Sequence, residues 1–317
     1  MADELPMPPK VWTIALGNRG PGSMAYLDFG PNDRPVDAVF LHANGFNALT
    51  YRHVLGPLTS RYRILAIDQR GHGATTLETV VEGRRDWLDM RDDLLAYLDA
   101  LDLTRVVLSG HSMGATTSLL AAAMAPERCR GLVLFDPVML PPRPRGLSSE
   151  PGMVEATRRR RAIFPSREGA LKSYRGRGAF STWPEPMLGD YVDAGFRDLP
   201  DGQISLACAP AWEASSYAAQ DHDSWKALRR STCRIDILRA EAASTFHLGA
   251  YPDGLGDRVR ITTVPGTSHF LPMERPDLVQ ATLARAIGAH APPEEEASSR
   301  IRPMAESCPS SSVQGSD

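Results

Sequence analysis

Cysteine is scarce in this chain, with four in 317 residues (Cys129, Cys208, Cys233 and Cys308). They lie far apart and form no C-x-x-C, which argues against a zinc site or a redox pair. No apolar run reaches the length of a membrane span. The opening Met-Ala-Asp-Glu-Leu-Pro lacks the basic start and apolar stretch of a secretory signal, so a reduced, cytoplasmic setting is the expectation. Neither sign of charge dominates: 35 Lys and Arg against 38 Asp and Glu leave a net charge of −3, which points to neither a nucleic-acid nor a membrane partner. No internal repeat is visible. What remains is an ordinary globular composition, 42% hydrophobic and 23% charged, long enough for one large α/β domain or two small ones.

Buried-strand patterns recur along the first half. Residues 11–16 and 24–29 read as strands joined by a turn-rich Gly-Asn-Arg-Gly-Pro-Gly. Apolar, β-branched runs at 37–41, 63–67, 106–108 and 131–135 read as strands buried on both faces. Between them, 86–101 places Trp87, Leu88, Met90, Leu94, Leu95, Tyr97, Leu98 and Leu101 at helical spacing. The rhythm breaks over 137–230, where prolines, arginines and scattered aromatics show no buried-strand pattern. Strands at 233–238 and 259–264 and a helix at 277–287 resume it. From about residue 292 the chain is Glu, Ser and Pro and is expected to be disordered. Strands alternating with helices imply a mostly parallel sheet with helices on both faces. Residues 1–136 and 231–291 would form this core, with 137–230 inserted as a cap over one edge.

The most informative stretch is Gly110-His111-Ser112-Met113-Gly114, a G-x-S-x-G between a buried strand and an Ala-rich helical segment. At such a junction a sharp turn strains the serine backbone, and glycines on either side let strand and helix crowd together. Ser112 then stands at the carboxyl end of the sheet before a helix N-terminus.

A serine hydroxyl needs a base, and the base needs an acid to set its tautomer. Of eight histidines, His269 directly follows the last strand and so opens on the same sheet edge as Ser112. His42 and His72 read as loop-shaping groups, His111 as facing away from the serine, and His222 as part of a solvated turn. For the acid, Asp136 ends the strand after the Ser112 helix, and Glu241 follows the next strand beyond the insertion. Asp136 is favoured, although Asp-Pro also forms turns. Oxyanion donors are expected from the backbone N–H of Met113 and of Asn44, with Gly45 allowing the turn in the latter loop.

Together, Leu41-His42-Ala43-Asn44-Gly45-Phe46, Ile67-Asp68-Gln69-Arg70-Gly71-His72-Gly73, Gly110-His111-Ser112-Met113-Gly114 and Ser268-His269-Phe270-Leu271-Pro272-Met273-Glu274 resemble the α/β-hydrolase superfamily. The likeness covers roughly residues 20–290, with the motifs in the expected order; it is specific for the fold and weak for the substrate. Members of the family often carry the acid after the later strand. Here Ala240-Glu241-Ala242-Ala243 has alanine where that aspartate would stand. Some cap-bearing members place it at an offset like that of Asp136. Haloalkane dehalogenases and epoxide hydrolases of the family carry aspartate at the nucleophile position, so serine argues against both.

In the insertion, Tyr174, Phe180, Trp183, Tyr191, Trp212, Tyr217 and Trp225 supply enough aromatic surface to roof an apolar pocket. Arg158, Arg159, Arg160 and Arg161, with Arg143, Arg145, Arg167, Lys172, Arg175 and Arg177, either include a clamp for a substrate carboxylate or phosphate or form a solvated face. The reading that follows is a serine hydrolase acting on a small-molecule carboxylic ester, with Ser112, His269 and Asp136 as triad and no metal or organic cofactor implied. The same triad would equally serve a carbon–carbon hydrolase, lactonase, thioesterase or acyltransferase. A non-catalytic ligand-binding module is the alternative from another class.

Overall fold

The computed structural model describes residues 9–141, 151–250 and 255–289. Eight strands form one sheet: β1 (Val11–Ile14), β2 (Met24–Phe29), β3 (Ala38–Leu41), β4 (Ile64–Asp68), β5 (Val106–His111), β6 (Cys129–Phe135), β10 (Arg234–Ala240) and β11 (Val259–Val264). Their order is β1-β2-β4-β3-β5-β6-β10-β11. The first two pairings are antiparallel and the other five parallel, so the expected mostly parallel sheet is present. Strand ends shift by up to three residues from the positions expected from sequence, most at β5, which runs on to His111.

The central strands are buried on both faces, as their unbroken apolar runs require. Alternation still sorts them. Val39, Leu41, Leu108, Leu132 and Leu134 join one core with side chains of α2 (Leu88–Ala100), α3 (Met113–Met124) and α8 (Ser224–Arg230). Ala38, Phe40, Val107, Val133 and Phe135 join the other, with α1 (Arg52–Leu55) and α10 (Pro276–Ala289). A one-residue slip of any of these strands would exchange its two sets of partners.

Between β6 and β10 the chain leaves the sheet. It forms α4 (Pro151–Arg158), α5 (Arg167–Tyr174), α6 (Glu185–Ala194) and α7 (Pro210–Ala218) before α8 returns against α3. It also forms a three-stranded antiparallel sheet, β7 (Ile163–Phe164), β9 (Ile204–Leu206) and β8 (Phe196–Asp198). These strands were not expected from the sequence, because two or three residues are too few for a period of two to register. Bonds across to the main sheet's loops hold the insertion: Asn44 Nδ2 donates to Glu213 O at 3.0 Å, Asn47 Nδ2 to Tyr191 O at 3.0 Å, and Trp212 Nε1 to Arg70 O at 2.9 Å. The basic residues Arg143 and Arg145 and the tail from 292 lie outside the described residues.

Distance along the chain misleads for the cysteines. Cys129 opens β6 and Cys233 precedes the adjacent β10, so their Sγ atoms lie 3.8 Å apart although 104 residues separate them. Among the described residues, no helix is long and apolar enough to cross a membrane.

Where α3 leaves β5 it lies hard against the end of β3, backbone to backbone. A Cβ on Gly114 would sit 2.3 Å from Leu41 O, and one on Gly110 would sit 2.6 Å from Gly114 C and 2.7 Å from Leu41 O. Backbone, unlike a side-chain tip, has little room to give. Gly110→Ala and Gly114→Ala are each expected to lower stability by about 1–3 kcal/mol, read from urea unfolding; unchanged midpoints would show that strand and helix can part freely.

Candidate active site

Ser112 caps the N-terminus of α3 with φ 55° and ψ −118°, a conformation normally left to glycine. Its N–H donates to Phe135 O at 2.9 Å, which ties the turn to β6. The hydroxyl donates to His269 Nε2 at 2.9 Å, and His269 Nδ1 donates to Asp136 Oδ2 at 2.6 Å. Three side chains from loops after β5, β6 and β11 thus form one hydrogen-bonded line at the carboxyl edge of the sheet.

His269 is held by its own loop. Thr267 Oγ1 donates to Val264 O at 2.7 Å, and Ser268 N and Oγ each donate to the Glu274 carboxylate at 2.7 Å. Asp136 also has positive φ, at 41°, and its side chain is wholly buried. Besides His269 it accepts from Ala240 N at 2.9 Å, Ser244 Oγ at 2.5 Å and Thr245 N at 3.1 Å. Burial alone would raise its pKa. The bond and charge of His269, with the Ser244 and Ala240 donors, outweigh that and hold it below the usual carboxylate range. An ionised Asp136 can only accept, so His269 carries its proton on Nδ1 and presents a bare Nε2 to Ser112.

Glu241 is not part of this line. It is exposed, and its Oε2 accepts from Gly266 N at 2.9 Å. The segment that carries it contributes differently, through the Ser244 hydroxyl and the N–H groups of Ala240 and Thr245 aimed at Asp136. Ser244 and Thr245 were missed in the sequence, where a Ser-Thr pair beyond an alanine run carries no signal of its own.

The N–H groups of Asn44 and Met113 have no acceptor among the described residues, while those on either side of Asn44 are used. Ala43 N donates to Tyr51 Oη at 3.2 Å and Gly45 N to His72 Nε2 at 3.0 Å. Met113 opens α3, where the first N–H groups have no intrahelical partner. Close packing of Gly114 on Leu41 and His42 brings the helix start against the loop that carries Asn44. The arrangement can take a proton from a hydroxyl, stabilise the resulting imidazolium, and offer two backbone donors to a developing oxyanion.

His42, His72 and His111 are buried fasteners. His42 Nε2 accepts from Gln69 N at 3.0 Å, and burial lowers its pKa to about 4. His72 bridges the loops of Gly45 and Arg70. His111 turns from the Ser112 hydroxyl but meets the backbone carbonyl of His269 at 2.7 Å. His222, expected in a solvated turn, is half-buried with its ring 4.6 Å from that of Trp87.

Aromatic rings wall the His269 side. Phe270 stacks on Phe46 at 6.3 Å, and Trp183 meets Phe46 at 5.0 Å and Phe270 at 6.0 Å, with Tyr191 and Phe180 behind. Trp212 and Trp225 were expected among them but pack into the core of α2 and α3 instead. The arginine run divides. Arg158 and Arg159 are exposed beside Glu155, and Arg161 lies over the Phe164 ring at 4.4 Å. Arg160 turns inward to Glu213, with Nη1 to Oε2 at 2.5 Å, and reaches the Tyr174 and Tyr191 hydroxyls. Its charge is therefore already balanced within the protein.

The model of the alpha/beta hydrolase family matches residues 38–282. A 2-(acetamidomethylene)succinate hydrolase from Mesorhizobium japonicum is 25% identical over 256 residues, 79% of this chain and 87% of that protein. The crystal structure of E-2-(acetamidomethylene)succinate hydrolase superposes with a TM-score of 0.70 at 21% identity, covering 88% of this chain and 99% of that one. The thioesterase domain from the curacin biosynthetic pathway superposes with a TM-score of 0.69 at 15% identity, covering 87% and 99%.

Backbone strain at Ser112 has a measurable consequence. An unfavourable φ/ψ of this kind costs about 1–3 kcal/mol, against roughly 0.5–1 for the extra freedom glycine has when unfolded. Ser112→Gly is therefore expected to be more stable than Ser112→Ala by about 1 kcal/mol in thermal or urea unfolding. A Ser112→Gly less stable than Ser112→Ala, by about the 0.5–1 kcal/mol of glycine's extra freedom, would mean the turn is unstrained.

Proposed function

This chain belongs to the alpha/beta hydrolase family, and from that premise we propose that it is a serine hydrolase cleaving small carboxylic esters through an acyl-enzyme. The observation that carries this reading is the line Ser112–His269–Asp136, with contacts of 2.9 and 2.6 Å in the sense that catalysis needs. Ser112 Oγ attacks the carbonyl carbon while His269 Nε2 takes its proton. The imidazolium returns that proton to the departing alcohol oxygen as the acyl-enzyme forms. Water, deprotonated by the same nitrogen, then attacks the acyl carbon and Ser112 leaves with the proton. Asp136 keeps the imidazole in its tautomer and stabilises its charged form. The free N–H groups of Met113 and Asn44 meet the oxyanion of each tetrahedral intermediate.

Residues 137–230 act as a cap in this reading. Trp183, Tyr191 and Phe180 from that segment close over Phe46 and Phe270, a lining suited to an apolar acyl or alcohol group. The relative acting on 2-(acetamidomethylene)succinate makes that compound a sensible member of a substrate panel, beside p-nitrophenyl esters of increasing chain length and a thioester.

Ser112→Ala and His269→Ala are expected to lower kcat by about 10⁶-fold and Asp136→Asn by about 10⁴-fold, while Glu241→Gln stays near wild type. Steady-state rates on the preferred ester check the order, and a fluorophosphonate probe should label Ser112 alone. A damaging Glu241→Gln beside a mild Asp136→Asn would reassign the acid. Absence of labelling and of acyl release from every ester would leave the binding-module reading in its place.

A further inference from the structure

We infer that His111 and Tyr51 are positioning residues, joining the loop that carries His269 to the loop that carries Asn44 through one line of oriented hydrogen bonds. The inference rests on the serine-hydrolase reading above for its effect on rate, though not for its geometry. Ala43 N donates to Tyr51 Oη at 3.2 Å, the Tyr51 hydroxyl lies 2.8 Å from His111 Nδ1, and His111 Nε2 lies 2.7 Å from the backbone carbonyl of His269. For a neutral ring, only one proton arrangement satisfies all three. A carbonyl oxygen accepts, so His111 carries a hydrogen on Nε2. A neutral ring then has a bare Nδ1, so the Tyr51 hydroxyl must donate to it, and its oxygen accepts from Ala43.

Both side chains are fully buried, so neither group has water as an alternative partner. Burial pushes the His111 pKa down to about 3, helped chiefly by the nearby His269, while the His269 carbonyl and Asp136 pull the other way. Burial likewise raises Tyr51 well above its ordinary value. A neutral His111 matters because its ring lies 5.0 Å from that of His269. During turnover His269 becomes imidazolium, and a second positive ring at that distance would oppose it. The line therefore does two things. It fixes the peptide plane of His269, which sets how the imidazole approaches Ser112, and it holds Ala43, whose successor Asn44 offers the free N–H. His111 is also the residue before Ser112, so one side chain links three loops of the site.

The test uses the full chain. Nitrogen-15 NMR of its imidazoles should show His111 as the neutral Nε2–H tautomer from pH 7 down to 5. An Nδ1–H tautomer or a charged ring at pH 7 would overturn the proposal. In kinetics, His111→Leu and Tyr51→Phe are expected to slow fluorophosphonate labelling of Ser112 and kcat by about 10–100-fold, with KM little changed. His111→Gln, which keeps a donor and an acceptor, should recover most of that loss. The double variant should be no slower than His111→Leu alone, as expected for members of one chain. Wild-type rates in His111→Leu and Tyr51→Phe, or a Gln variant as slow as Leu, would sink the idea. If His111→Leu fails to fold, Tyr51→Phe and the tautomer readout decide. A wild-type chain that takes no label would overturn the hydrolase reading while leaving the tautomer test of the hydrogen-bond line intact.

Discussion

The contact on which the site depends is between backbones, where the start of α3 presses against the last carbonyls of β3 with no side chain between them. Gly110 and Gly114 permit that approach, and Ser112, lying between them, accepts a strained conformation as the result. The same closeness brings the helix start against the β3 loop, and their Met113 and Asn44 N–H groups have no acceptor among the described residues. Strain at Ser112 and the two open N–H groups are thus aspects of a single packing event. In physical terms the sheet and helix, which are rigid and well buried, supply the free energy that holds an otherwise unfavourable turn.

The second requirement is a buried negative charge. Asp136 lies in a protein interior that would neutralise an isolated carboxylate, yet donors from the β10 loop and from His269 keep it ionised. The loop that offered Glu241 as a rival acid is the loop that stabilises Asp136. The insertion leaves the core just past this carboxylate, at the carboxyl end of β6, and rejoins it at the far end of the neighbouring parallel strand β10. Its own polar groups are matched in the same manner. Arg160 neutralises Glu213, the backbone of Glu213 accepts from Asn44, and the Glu213 carboxylate lies so close to Gly45 that a Cβ there would be 2.5 Å away. With Glu213 buried and Arg160 half-buried, removing the arginine would leave the carboxylate uncompensated, and the pair couples the insertion to the loop that carries Asn44.

Local pattern was enough for much of the chain. Apolar runs marked the strands of the main sheet, helical spacing marked α2, and Gly110 to Gly114 marked the turn, because each rests on neighbours within a few residues. His269 was legible from its place after the last strand, since in a parallel sheet all such loops open on one edge. Asp136 against Glu241 was not settled by sequence, because both end strands on that same edge and differ only in which way the chain turns next. The hydrogen bonds from Ser244 and Thr245, the inward turn of Arg160 among outward-facing arginines, and the pairing of Tyr51 with His111 had no local signature at all. Each joins residues from separate loops, and the Ser112–His269 and His269–Asp136 contacts themselves span 157 and 133 residues of chain. Sequence by itself determined which segments of the main sheet become strands and turns and where α2 runs, for those choices are made by short-range periodicity and backbone preference. Which side chains meet was decided only when the sheet assembled, because strand order, and not distance along the chain, sets which loops share an edge.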